Sequence, residues 1–234
     1  MTHKIIGKYI KELKFSIPNP KTFFLLAKDI ANYKINVDIK SVQVRQNIIE
    51  VLTSLKLIPV KDDFEKVDTL VYCPGSINLK PISTLSIENF REDFELNVIG
   101  AVKAIKKYLP VLKKGENPSI LLFSTVATKL GMPYHASVAA SKSAIDGIVK
   151  TLGAELAPKI RINAIAPTIT KTELASKILR NDKVVENMIE RHPLKKILSP
   201  EEVSKMAKFL ISEDASSISG HIINMDAGIV SFKS

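Results

Sequence analysis

Residues 119–165 read SILLFSTVATKLGMPYHASVAASKSAIDGIVKTLGAELAPKIRINAI, and this stretch decides the fold. Residues 119–124 form an apolar run of strand length. Residues 136–157 carry a helical pattern, and residues 160–165 return to a short β-branched run. Working outward, residues 68–73 (DTLVYC) predict a further buried strand, apolar on both faces. A long helix is expected from about residue 86 to 112, with Ser86 and Asn89 giving a partial N-cap signal. Helices near 173–190 and 200–212 and a strand over 221–225 complete this half of the chain. Strands and helices alternating at these lengths imply an α/β protein, a parallel sheet with helices on both faces. The ligand crevice of such a sheet lies outside the carboxyl ends of its strands. Chemistry is therefore expected at residues 73–78, 124–134 and 166–173.

Upstream the pattern is less regular. Residues 3–13 place Ile6, Ile10 and Leu13 on one helical face, residues 22–27 and 35–39 read as short strands, and residues 41–56 read as a helix through Val44, Ile48, Val51 and Leu52. About seven residues join the two strands, whereas a parallel crossover needs a dozen or more. Either the two run antiparallel or one of them is not a strand. No repeat or Ser/Gly linker interrupts the chain. One domain over 1–234 is expected, with 1–40 as a shortened first portion.

Composition narrows the function classes. The chain has 234 residues, 45% hydrophobic and 25% charged, which excludes a disordered or low-complexity protein. No run of about 18 apolar residues exists, so no membrane span is expected. The opening MTHKIIGKYIKELK is too charged for a signal-peptide core and, lacking Arg, makes a poor mitochondrial presequence. A single Cys73 cannot close an internal disulfide, and a reducing cytoplasmic location is expected. The net charge of +10 invites a nucleic-acid reading, but only Arg45, Arg91, Arg161, Arg180 and Arg191 are arginines, Trp is absent and aromatics are 6%. Base readout and stacking favour those missing groups, so a lysine-rich solvated surface is the reading adopted.

Five pieces then carry a resemblance: ELNVIGA (95–101), ASKSAIDG (140–147), RINAIAPTITKTEL (161–174), LSPEEVSKMAKFLISEDASSISG (198–220) and INMDAG (223–228). In this order and spacing the chain resembles the short-chain dehydrogenase/reductase family over roughly two thirds of its length, nearest the 3-oxoacyl-acyl-carrier-protein reductase branch. The resemblance implies a Rossmann-like doubly wound parallel sheet, with a shortened and irregular N-terminal portion here. It also implies an NAD(P)(H) cofactor and hydride transfer to a carbonyl. In the family a tyrosine supplies the proton, and a lysine four residues later lowers its pKa and holds the ribose hydroxyls. Lys142 matches that lysine, Asn97 the asparagine that supports a water chain, and Thr125 the serine that hydrogen-bonds the carbonyl. The helices over 88–112 and 136–157 match those through which members associate, implying a homo- or hetero-oligomer.

Departures from the pattern are concentrated at the chemistry. The tyrosine position is Val138, which has no exchangeable proton, and a lost general acid costs about 10²–10⁴ in rate. Tyr134 and His135 lie just upstream as candidate replacements; enoyl reductases of the family keep their tyrosine where His135 stands. The glycine-rich phosphate turn survives only as Gly7, with Ile5 at its middle glycine. Lys4 and Lys8 nearby read as exposed helix lysines. Glycine is depleted, 9 residues in all, about 4% against an average near 7%. Of the family's N-N-A-G only Gly75 remains, within Tyr72-Cys73-Pro74-Gly75, and Pro74 removes a backbone donor. Thr172 matches the threonine that contacts the nicotinamide amide, and Asp38 the acid that meets the adenine. Cys73 is expected as a buried apolar residue rather than a nucleophile, without a base beside it. Two functions follow: a non-catalytic or heteromeric homologue, or an active oxidoreductase on an acyl-thioester enoyl or carbonyl group with a relocated proton donor.

Overall fold

A computed structural model describes residues 67–232 in full and residues 33–45 and 48–59 by their backbone. The chain divides into two compact units, Met1–Phe64 and Glu65–Ser234. The single domain expected over 1–234 therefore parts near residue 64.

In the first unit, β1 (Tyr33–Arg45) and β2 (Ile48–Pro59) form an antiparallel ladder. The strand expected at 35–39 lies within β1. The helix expected at 41–56 is corrected to strand. Val44, Ile48, Val51 and Leu52 meet a helical period, but Ile39, Val42, Ile49 and Thr53 add a density of β-branched residues that favours extended backbone. The helix at 3–13 and the strand at 22–27 lie outside the described residues.

The second unit is a four-stranded parallel sheet in the order β3 (Thr69–Val71), β4 (Ser119–Phe123), β5 (Arg161–Pro167), β6 (Ile222–Met225). Between β3 and β4 come α1 (Ile87–Phe94), a π-helical turn (Glu95–Ile99) and α2 (Gly100–Leu112). The single long helix expected at 86–112 is thus interrupted in its middle. The crossover from β4 to β5 carries α3 (Ala136–Leu156), and that from β5 to β6 carries α4 (Asp182–Arg191) and α5 (Pro200–Ile211). α4 begins later than the helix expected near 173, because Asn181 caps it by accepting from the Val184 N–H. At Ser86 the capping signal proves complete: Ser86 Oγ accepts from the Asn89 N–H, and Asn89 Oδ1 accepts from the Ser86 N–H.

Strand periodicity explains why β4 reads as apolar throughout. Ile120 and Leu122 point into a cluster with Ala101, Ile105, Ile145 and Val149 of α2 and α3. Leu121 points the other way, into a cluster with Leu210 of α5. Both faces of the sheet are covered, as a parallel sheet requires. Glycine permits one tight contact here: a Cβ on Gly153 would stand 2.8 Å from the Gly220 backbone, so α3 and the approach to β6 touch main chain to main chain.

One polar side chain ties this face together. Arg161, buried at the start of β5, donates to the carbonyls of Leu210, Ser212 and Ala215, at the C-terminal end of α5 and in the turn after it. Arg161→Ala is expected to lower unfolding free energy by about 2–4 kcal/mol, since it removes three charge-assisted hydrogen bonds that hold the end of α5 to β5. Urea denaturation followed by circular dichroism checks this, and an unchanged midpoint would contradict it.

Candidate active-site crevice

The site begins with the register of α3. Val138, Lys142, Ile145 and Val149 recur at helical spacing and are all buried, so Lys142 lies on the face turned toward the sheet. Its Nζ reaches the carboxyl end of β4 and donates to the Phe123 carbonyl at 2.9 Å. Burial pushes this ammonium down from its ordinary 10.5 to about 8, opposed by the charges of Asp93 and of the Cys73 thiol.

Asn97 approaches from the other side. The π-helical turn carries it inward, and it is 1% exposed. Tyr72 secures that turn by donating from its hydroxyl to the Leu96 carbonyl at 2.7 Å. The Asn97 amide nitrogen donates to Ser76 Oγ at 3.0 Å and to Ser141 Oγ at 3.2 Å, while its Oδ1 is buried without a partner. Gly75 brings bare backbone between the two groups: a Cβ there would stand 3.5 Å from Lys142 Nζ and 3.7 Å from Asn97 Oδ1. A cationic donor and an open acceptor thus face the same stretch of chain.

The other expected residues are distributed as follows. Thr125 stands at the end of β4, half-buried, and its Oγ1 accepts from the Ala127 N–H at 3.3 Å, leaving its own proton for a ligand. Val138 is 7% exposed, one helical turn before Lys142. Tyr134 lies before α3 in left-handed backbone, φ 69°, with the residue 58% exposed and its carbonyl accepting from the Lys80 N–H. His135 is the N-cap residue of α3, and its Nδ1 contacts the Pro133 carbonyl at 2.7 Å. Thr172 is exposed; its Oγ1 accepts from the Ala175 N–H. Cys73 is exposed; partial burial of its thiol raises the pKa, and the Lys142 charge opposes that rise. Asp38 falls on β1 opposite Ser54 in the first unit, and Gly7 lies outside the described residues.

Two polar groups escaped the sequence reading. Asp93, fully buried on α1, accepts from Ser76 Oγ at 2.5 Å, Asn78 Nδ2 at 2.9 Å and Ser137 Oγ at 2.5 Å. Its signal was the spacing of four from Asn97, which puts both on one helical face. Buried His192 pairs its Nε2 with Thr168 Oγ1 at 2.8 Å, beyond the end of β5.

Comparison with known proteins agrees with this fold. A family model described as Enoyl-(Acyl carrier protein) reductase matches residues 53–230. The chain belongs to the short-chain dehydrogenase/reductase family. The 3-oxoacyl-[acyl-carrier-protein] reductase FabG of Thermotoga maritima is 31% identical over 172 residues, 73% of this chain and 69% of that protein. A tropinone reductase homolog of Datura stramonium is 32% identical over 196 residues, 82% of this chain and 70% of that protein. Among solved structures, a glucose/ribitol dehydrogenase-type member from Brucella melitensis superposes with a TM-score of 0.66 at 30% identity, covering 72% of this chain and 66% of that one. ElxO with NADP bound superposes with a TM-score of 0.67 at 30% identity, covering 72% and 69%.

The family implies a nicotinamide cofactor, which supplies hydride when bound. Lys142, whose Nζ stands beside the bare Gly75, is the residue that would hold its ribose hydroxyls. The family's phenol position, one helical turn before Lys142, is the aliphatic Val138.

The depressed Lys142 pKa has a signed consequence. Between about 8 and 10.5 the folded chain holds fewer protons than the unfolded one, so this group makes stability rise with pH across that window. Below pH 8 it burdens the fold with a desolvated charge. Lys142→Met is expected to be the more stable protein at pH 7, with the gap narrowing steadily from pH 8 toward 10.5. Melting temperatures across that range check it; a constant gap would contradict it.

Proposed function

We propose that this chain is a non-catalytic short-chain dehydrogenase/reductase homologue that acts by pairing with a second subunit of the same fold. One observation carries the reading: the position one helical turn before Lys142 is an aliphatic, buried Val138, which can neither donate a proton nor be polarised by the ammonium. Thr125 and Lys142 retain the means to orient a carbonyl. The protonation of the developing alkoxide has no group assigned to it. At the phosphate end, Ile5 in place of glycine sets a β-branched side chain where the family brings backbone against pyrophosphate.

Association rests on the face formed by α2 and α3. Ile105, Leu109, Ile148 and Leu152 floor an apolar groove of about 510 Å³ between them, with Lys106 on one rim and Glu155 on the other. The opposite rim charges suit a second subunit related by a two-fold axis, in which each patch meets its own copy. A reducing cytoplasm as the setting belongs to the same proposal. So does a lysine-rich surface without a nucleic-acid role.

The experiment is a titration of the full chain with NADH and NADPH, followed by nucleotide fluorescence, beside light scattering without nucleotide. The expected result is an associated species that Leu152→Glu converts to monomer, and no submillimolar nucleotide binding. Submillimolar binding by a monomer would overturn the reading.

A second reading has its own observation. Tyr134 holds left-handed backbone, uncommon for a bulky residue, at the edge of the crevice segment 124–134. In that reading its phenol serves as the relocated donor for reduction of an acyl-thioester enoyl or carbonyl group, with His135 beside it. Tyr134→Phe would then abolish turnover of any accepted substrate, by about 10²-fold or more; unchanged turnover excludes it.

A further inference from the structure

The crevice depends on a carboxylate that neither lines it nor touches solvent. We propose that Asp93 is a positioning residue: through Ser76 it dictates which end of the Asn97 amide faces the crevice. The inference concerns the orientation of Asn97 alone and does not depend on whether the crevice takes a ligand.

Two hydroxyl protons decide the orientation. Ser76 Oγ has one proton, and Asp93 Oδ1, an acceptor only, takes it at 2.5 Å. Ser141 Oγ also has one, and it goes to the Val138 carbonyl at 3.1 Å. Toward Asn97, then, both serines can offer only lone pairs. The side chain satisfies both when Nδ2 turns inward with its two protons, which leaves Oδ1 turned toward Gly75 and Lys142 without a partner. With the amide reversed, Oδ1 would face two oxygens without a free proton, in a site closed to water.

The polarity of the chain therefore originates at Asp93. Its two remaining donors, Asn78 Nδ2 and Ser137 Oγ, hold the carboxylate against the crevice loop and against α3. Replacing the carboxylate by an amide breaks the logic. The nitrogen of such an amide could donate to Ser76, freeing the serine proton for Asn97 Oδ1 and turning a donor toward Lys142. The unpartnered acceptor turned toward Gly75 would then be lost.

The bland alternative is that Asp93 merely clamps α1 to α3. Three variants of the full chain separate the two. Asp93→Asn and Ser76→Ala both cut the relay, whereas Ser137→Ala cuts only the clamp. The readout is the side-chain amide resonance of Asn97 in protein carrying 15N-labelled asparagine, with its hydrogen exchange. In the unaltered chain both amide protons are expected to exchange slowly. The two relay variants are expected to shift the resonance and speed exchange at least tenfold, while Ser137→Ala lowers the melting temperature and leaves the resonance in place. Should Asp93→Asn fail to fold, Ser76→Ala carries the test alone. An Asn97 resonance unmoved by Ser76→Ala, or moved equally by Ser137→Ala, overturns the proposal. Neither nucleotide binding nor turnover enters the measurement, so its failure is separate from that of the reading above.

Discussion

A buried ammonium organises the second unit. Lys142 is drawn out of water by the packing of α3 on the sheet, and the Phe123 carbonyl at the end of β4 takes one of its protons. Desolvating a cation is costly unless surrounding groups replace the lost hydration. The groups that do so are the crevice itself: the loop bearing Cys73 and Gly75, the π-helical turn bearing Asn97, and the buried Asp93 behind it. The compensation is incomplete, so below pH 8 the second unit carries this ammonium at a cost in stability. The interruption of the long helix by Glu95–Ile99 then has a physical purpose, because it swings Asn97 inward and frees a carbonyl for Tyr72.

Against this apparatus the missing group stands out. A lysine so placed would stabilise a phenolate one helical turn away, and there the chain carries Val138. The chain carries Lys142, Asn97 and Thr125 together with an aliphatic Val138. A protein that keeps the outer faces of α2 and α3 apolar and matched in charge can still serve by association, whereas one that must deliver a proton has to recruit it from outside α3. Tyr134, which precedes α3 in left-handed backbone, is the side chain that the alternative reading calls on.

Much of this was legible beforehand. Apolar runs at 68–73, 119–124, 160–165 and 221–225 became β3 to β6, since buried parallel strands show hydrophobicity on both faces. Lys142 and Asn97 were found by motif spacing, and the fold brings them to the same glycine. The hairpin was not legible: between residues 41 and 56 apolar residues satisfy two periods at once, and only strand pairing decides between them. Nor were the π-helical turn or Asp93. Asp93, one of three carboxylates in an amphipathic helix, looks solvated until the fold shows Ser76, Asn78 and Ser137, from two distant segments, closing around it. Local pattern carries no information about such three-way encounters.

The most direct test of the account is nucleotide oxidation by the unmodified chain, with saturating NADH or NADPH and a panel of 3-oxoacyl and enoyl thioesters. The account predicts a rate no greater than the protein-free background at every pH between 6 and 9. Substrate-dependent oxidation well above background, abolished by Lys142→Ala, would contradict it.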